Sequence, residues 1–363
     1  MMACSAKRMR KLGCAWRVEE CLSPCKAWRI IIFYLRTMEY LDKREAISKM
    51  NALSADGVPF VFIVDYAMER SIVKPLHEVE PSEMMYCFGK KKNCNKAVAE
   101  NNEPVEWSCE VPSKGEYRRK FDCVVNNCRL GNTYLANLTC CIPIKTNLSL
   151  RDIFCRSESI YKMWIKDSFV CFSPETFVRI DDGIIRSFPM KGTIEDAEGA
   201  SEKLLGNAKE SAEHATIVDL IRNDLSIVAD NVSVKRYRYI DKIHTNRCRL
   251  LQTSSEIVGR LHEGWDSRIG DIMFSLLPAG SITGSPKPKT LQIINEAEGY
   301  RRGFYTGVMG IFEDGHLDSA VMIRFIDIEG GCMFFKAGGG ITAKSCFESE
   351  YNEVIQKVYV PIH

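Results

Sequence analysis

Gly307-Val-Met-Gly-Ile-Phe312, Asp318-Ser-Ala-Val-Met-Ile-Arg-Phe-Ile326 and Cys332-Met-Phe-Phe-Lys-Ala337 are three apolar runs of strand length, joined by Glu313-Asp-Gly-His316 and Glu329-Gly-Gly331. Connections this short close hairpins and cannot carry a parallel crossover, so the stretch predicts an antiparallel meander. Working upstream, Phe169-Val-Cys-Phe172 and Thr176-Phe-Val-Arg-Ile180 repeat the pattern, with Asp181-Asp-Gly183 as the turn into Ile184-Ile-Arg-Ser-Phe188. A long helix is expected from about Ala197 to Arg222, an amphipathic helix over Glu39 to Met50, and a buried strand over Val58 to Asp65. Met84 to Pro112 reads as polar and irregular, a variable loop region. Hairpins alternating with long helices give an α+β class, not a doubly wound parallel sheet.

Composition narrows the function classes. The chain has 363 residues, 45% of them hydrophobic, enough for one large core or two modest ones. Its 49 basic and 47 acidic side chains leave a net charge of +2, so no global field gathers nucleic acid or an anionic membrane. The longest apolar candidate for a membrane span, Ile30-Ile-Ile-Phe-Tyr-Leu35, is too short and meets Arg36. Sixteen scattered cysteines without a Cys-x-x-Cys pair or a secretory leader read as free thiols in a reducing cytoplasm. Six dispersed histidines give no zinc spacing. Residues 1–37, with Cys4, Cys14, Cys21 and Cys25 among Lys, Arg and Trp, show no helical or strand period and read as a non-native or disordered extension ahead of Met38.

Several stretches carry candidate chemistry. Pro278-Ala-Gly-Ser-Ile-Thr-Gly-Ser-Pro-Lys287 combines mobile glycines with Ser281, Thr283 and Lys287, the equipment of an anion-binding loop or of a polar turn. It lacks the Gly-Lys-Ser/Thr of a nucleotide phosphate loop, and Pro286 and Pro288 remove donors. Glu210 and Glu213 share one helix face; Glu350, Glu353 and Lys357 share another. Either pair could be a solvated surface, but apolar residues crowd Glu213, and carboxylates from separate helices that keep waters and a ligand oxygen suit magnesium. Gly338-Gly-Gly340 is read as a loop after a strand whose N–H groups could meet an anion. Arg324 lies in an apolar run and needs a carboxylate partner if buried. Lys191, between Met190 and Gly192, becomes a nucleophile if desolvation lowers its pKa, although most lysines are solvated.

From about Phe121 to Val360 the chain resembles the chorismate-utilising enzymes, and within them the aminodeoxychorismate synthases. The resemblance rests on Ser173-Pro-Glu175, Pro189-Met-Lys-Gly-Thr193, Ala212-Glu-His214, Ile217-Val-Asp-Leu-Ile-Arg-Asn-Asp224, Gly280 to Lys287, Arg302-Gly-Phe-Tyr305, Ile323-Arg324, Ala337-Gly-Gly-Gly-Ile341 and Glu350-x-x-Glu353-x-x-x-Lys357, in that order. It implies an α/β sandwich of two antiparallel sheets with outer helices, residues 38–120 forming its N-terminal part and 121–363 the chorismate-binding catalytic domain. By the same resemblance Glu213 and Glu353 hold Mg2+ directly, while Glu210 and Glu350 hold its waters. The ring carboxylate of chorismate meets the metal, Lys357 and the amides of Gly338, Gly339 and Gly340; Arg324 and Tyr305 take the enolpyruvyl carboxylate, and Ser281 and Thr283 line the pocket. Lys191 stands where anthranilate and isochorismate synthases usually have alanine. It implies covalent attack at ring C2, with Glu175 as general acid for the departing C4 hydroxyl and ammonia then adding at C4 to give 4-amino-4-deoxychorismate. Gln252 replaces a histidine that relatives use in pyruvate elimination, and Thr176 and Ser285 also depart from the pattern. No Gly-x-Cys-x-Gly elbow occurs in the chain, so ammonia is expected from solution or from a glutamine amidotransferase subunit. Anthranilate synthase, isochorismate synthase and an inactive chorismate-binding subunit are the alternatives.

Overall fold

The computed structural model describes residues 39–94, 103–244 and 249–359. Residues 1–37 lie outside the described residues, and Tyr40–His363 form one compact unit. Apart from two 3-10 turns, the elements begin with α1 (Lys43–Ala55), β1 (Phe60–Val64), β2 (Ser71–Pro75), β3 (Met84–Phe88), β4 (Lys91–Lys92), β5 (Trp107–Cys109), α2 (Lys114–Arg129), β6 (Leu135–Thr146) and α3 (Leu150–Arg156). Next come β7 (Tyr161–Ile165), β8 (Phe169–Ser173), β9 (Thr176–Asp181), β10 (Ile184–Ser187), β11 (Met190–Glu195), α4 (Ala200–Gly206), α5 (Ala208–Leu225), β12 (Ala229–His244) and β13 (Arg249–Leu261). The last are α6 (Ile269–Leu276), α7 (Gly280–Thr283), β14 (Gly284–Ser285), α8 (Lys287–Glu298), β15 (Val308–Glu313), β16 (His316–Val321), β17 (Phe325–Glu329), β18 (Cys332–Ile341) and α9 (Phe347–Gln356).

The strands form two sheets of nine, in agreement with the α+β sandwich expected from the sequence. The first runs β11-β13-β10-β9-β16-β15-β1-β2, with β12 on the other side of β13; the second runs β14-β6-β18-β17-β8-β7-β3-β4, with β5 against β6. All five residues of β1 are buried, because both faces of the strand are covered. Met50 of α1, Val218 and Leu225 of α5 and Met273 of α6 pack on Phe60, Phe62 and Ile180 of the first sheet. Tyr117 of α2, Ile153 of α3, Ile293 of α8 and Tyr351 of α9 pack on Leu138, Ile142 and Phe335 of the second.

Three sequence expectations change. The helix expected over Ala197 to Arg222 is two helices, because the extended residue Asn207 ends α4 and caps α5, its side chain accepting the Glu210 N–H. The region Met84 to Pro112 contains β3, β4 and β5; β3 pairs in full register with β7, from Met84 opposite Ile165 to Phe88 opposite Tyr161. The meander is divided between the sheets: β15 and β16 belong to the first, β17 and β18 to the second. The chain passes between the sheets five times, and the two shortest crossings, after Ser173 and after Val321, lie side by side. These two are bonded to each other, the Val321 N–H donating to the Glu175 carbonyl and the Phe172 N–H to the Arg324 carbonyl, each at 3.1 Å.

Candidate functional site

A cleft of about 820 Å³ collects Glu175, Lys191, Glu210, Glu213, Ser281, Tyr305, Arg324, Gly338, Gly339, Gly340, Glu353 and Lys357 on its walls. These residues come from both sheets and from three helices, so only the folded topology brings them together. Glu175 and Arg324 lie on the two shortest crossings, and Arg324 adopts a left-handed backbone, φ 54°. Its half-buried guanidinium opens to the cleft, 5.3 Å from the ring centroid of Tyr359. It is thus not the fully buried cation that the apolar run implied.

Two residues of the expected set do not line the cleft. Thr283 is fully buried at the end of α7. Glu350 is 5% exposed. It lies beside Gly339, turned about 60° around α9 from Glu353. The Pro278 to Lys287 loop is also not an anion cradle as a whole: Lys287 is committed to Asp224 at 2.9 Å and to the Leu276 carbonyl at 3.2 Å. Ser281 and Ile282 are its residues on the cleft wall.

Lys191 stands on β11, opposite Thr253 of β13 and next to a bulge; the Thr253 hydroxyl donates to the Lys191 carbonyl. Its Nζ is 3.0 Å from Glu213 Oε2. Burial pushes its pKa down, but the carboxylates of Glu213, Glu353 and Glu210 outweigh burial and raise it above the usual lysine range. The expectation of a lysine made nucleophilic by desolvation is corrected accordingly: the group rests as an ammonium because carboxylates surround it.

Glu175 behaves oppositely. Burial raises its pKa, and the Ser281 hydroxyl donating to Oε1 at 2.9 Å, with Lys357 and Lys191 nearby, offsets that only in part. A carboxyl that keeps its proton above the ordinary range can deliver it to a leaving oxygen. Tyr305 is buried on the same wall, and burial keeps its phenol protonated.

Gly338, Gly339 and Gly340 lie inside β18, opposite Thr139, Leu138 and Asn137 of β6, and not in a loop. Antiparallel pairs alternate between bonded and non-bonded. The Thr139 N–H is given to Glu298 and the Asn137 carbonyl to Arg302, so the pairs at Gly338 and Gly340 are the non-bonded ones. Their polar groups turn to the other edge, where pairing with β17 stops at Lys336. The Gly338 carbonyl accepts from Lys357 Nζ at 2.8 Å on that side, and Lys357 also pairs with Glu353 at 2.6 Å. Glu298, the last residue of α8, and Arg302, beyond the left-handed Gly299, thus hold the outer edge of β6 opposite the glycine strand. The sequence reading quoted Arg302 in a motif without giving it this role.

The donor set is compatible with magnesium. A Cβ at Gly192 would stand 3.2 Å from Glu210 Oε2, and one at Gly339 would stand 3.4 Å from Glu353 Oε1 and 3.7 Å from Glu350 Oε2, so glycine leaves the space before each carboxylate open. Among the described residues no three His, Cys, Asp or Glu side chains gather into a cage by themselves. A cation here would take few protein oxygens and complete its shell with water and ligand, as magnesium does.

The sequence from residue 74 to 363 matches the chorismate binding enzyme family. The chain belongs to this family. It is 45% identical over 317 residues to the uncharacterized PabA-like protein of Haemophilus influenzae, covering 87% of this chain and 96% of that one. It is 36% identical over 229 residues to aminodeoxychorismate synthase component 1 of Bacillus subtilis, covering 60% of this chain and 47% of that one. The menaquinone-specific isochorismate synthase MenF of Escherichia coli superposes with a TM-score of 0.66 at 15% identity, covering 88% of this chain and 82% of that one, a likeness of fold. Among the described residues no helix is long and apolar enough to cross a membrane.

Proposed function

We propose that this chorismate-utilising enzyme is an aminodeoxychorismate synthase component I, replacing the C4 hydroxyl of chorismate with an amino group. The observation that carries the reading is Lys191 in the same cleft as Glu175, a lysine held by carboxylates beside a carboxyl whose burial favours its protonated form. Glu213 and Glu353, with Glu210 and Glu350 around them, would hold Mg2+. Bound there, the ion would neutralise and orient the ring carboxylate. Lys357 and the free edge of Gly338 to Gly340 hold the same carboxylate, and Arg324 with Tyr305 holds the enolpyruvyl carboxylate. Lys191, after losing its proton to solvent, attacks C2; both ring double bonds shift, and the C4 hydroxyl leaves as water with the proton of Glu175. Ammonia then adds at C4 and the bond to Lys191 breaks, returning the amine. Dividing the substitution into two displacements lowers each barrier. Gln252, whose amide N–H donates to the Thr193 hydroxyl at 3.2 Å, is neither an acid nor a base at neutral pH, which accords with a product that keeps its enolpyruvyl group.

The name component 1 on the Bacillus relative implies a second component, and a glutamine amidotransferase supplying ammonia is the partner proposed. Every described cysteine is free; a cytoplasmic setting is part of the proposal. The test is incubation of the purified chain with chorismate, magnesium and ammonium, followed by mass analysis. The expected product retains the enolpyruvyl group and carries an amine in place of the hydroxyl. Anthranilate with released pyruvate, or isochorismate, would refute the assignment.

A further inference from the structure

Asp224 and Lys287 do not line the cleft, yet they form a nearly buried ion pair, 14% and 20% exposed at the side chain, directly behind it. Asp224 Oδ1 takes the Lys287 ammonium at 2.9 Å, and the same carboxylate accepts the Gly280 N–H. A Cβ at residue 280 would stand 2.6 Å from Asp224 Oδ2 and 3.0 Å from Leu220 Cγ, so glycine is what lets the loop backbone close on the carboxylate. The next residue, Ser281, donates to Glu175. Between Asp224 and Glu175 lies a gap of about 20 Å³ lined by Gly280 and Ser281, room for about one water.

We propose that the Asp224–Lys287 pair is a positioning device for Glu175: it fixes the turn at Gly280 so that the Ser281 hydroxyl meets the Glu175 carboxyl. The inference rests on the reading of Glu175 as the proton donor. It also gives α5 two tasks. Glu213 faces the cleft from one part of the helix and Asp224 clamps the loop from its end, roughly 16 Å away along the axis at 1.5 Å per residue. Glu210 and Glu213 on the cleft wall and the donor that meets the leaving group are thereby set by one rigid rod. A bond of fixed direction to Glu175 also matters for rate, because small displacements of a reacting group are costly.

A purely structural ion pair is the alternative, and burying one is weak grounds for stability. The decisive variant therefore removes both charges, Asp224→Ala with Lys287→Met, leaving no unpaired ammonium. With the full chain, chorismate, magnesium and ammonium, kcat is expected to fall about tenfold or more while KM for chorismate stays within about threefold. Ser281→Ala should give a similar loss, and the triple variant should lose no more than either, since all act through one hydrogen bond. Additive losses, or unchanged kcat in the double variant, would overturn the proposal.

A second readout needs no turnover. The charged groups facing Glu175 from other elements are Lys191 of β11 and Lys357 beyond α9, and none of these variants alters them. Loss of the Ser281 donor removes an influence that lowers the Glu175 pKa. The 13C carboxyl signal of Glu175, assigned by its disappearance in Glu175→Gln, should titrate at higher pH in Ser281→Ala and in the double variant alike. An unchanged titration in the double variant overturns the positioning role. A wild-type chain inactive on chorismate overturns only the functional reading.

Discussion

Replacing Lys191 by methionine separates the two demands made on the carboxylate cluster. At 3.0 Å from Glu213 Oε2, the ammonium has a gross attraction of about 5.5 kcal/mol at an effective dielectric of 20 and about 1.4 kcal/mol in bulk water. Lys191 is 31% exposed and Glu213 19%, so solvent screens the pair and the net value lies near the lower figure, about 1–2 kcal/mol. An incoming cation must displace that ammonium, and in Lys191→Met it no longer has to. Magnesium should therefore bind the variant about tenfold more tightly, even as amination is lost. Isothermal titration of magnesium into both chains, at fixed ionic strength and without chorismate, measures the difference. Weaker or unchanged affinity in the variant would refute the idea that Lys191 and the ion compete for Glu213. Undiminished amination would show that ammonia attacks directly.

Other outcomes follow from the same geometry. Glu175 binds its proton more tightly in the folded chain than in the unfolded one, so its contribution to stability declines as pH rises through its raised pKa. Glu175→Gln should accordingly abolish turnover yet raise Tm at about pH 8, with no gain at about pH 4, where the carboxyl is already neutral; thermal melts at both values check this. Glu298→Ala strands the guanidinium of Arg302, with side-chain exposures of 1% and 2%, at a cost of about 3–5 kcal/mol. For a unit the size of Tyr40–His363 this lowers Tm by about 4–7 °C, read by calorimetry. Gly338→Ala places a Cβ 2.6 Å from the Leu138 carbonyl oxygen and should destabilise the fold, whereas Gly339→Ala meets Glu353 only at 3.4 Å. The latter should keep its Tm and lose chorismate affinity, a contrast that melts and binding titrations can check.

The local periods and turns of the sequence were sufficient for the antiparallel class: Asp181-Asp-Gly183 does close a hairpin, with Asp182 and Gly183 both at positive φ. They could not show that Met322 to Arg324 leaves one sheet for the other, because an apolar run looks the same within a strand as between two strands. Glu213 and Glu353 stood out through their helical spacing, and the cleft does bring them together. The charge state of Lys191 is not legible in the sequence, because its sequence neighbours are apolar while the groups that set its charge, Glu213, Glu353 and Glu210, arrive from distant helices. Lys287 looked like a free donor for a similar reason: its partner, Asp224, belongs to another helix. Thr283 shared a motif with Ser281, but the single turn of α7 sends the two residues to different surroundings.

The paired strand crossings have a mechanical consequence. Where Val321 bonds to Glu175 and Phe172 to Arg324, the two shortest crossings between the layers are sewn together along one line. In any rotation of the layers about such a line, displacement grows with distance from it. Residues on the seam would stay nearly still while side chains farther out swing apart. Glu175 and Arg324 are on the seam; Glu213 and Glu353, carried by outer helices, are off it. A cleft built this way could widen at its carboxylate lips to admit a doubly charged guest while its pivot kept the proton donor and the guanidinium at constant separation.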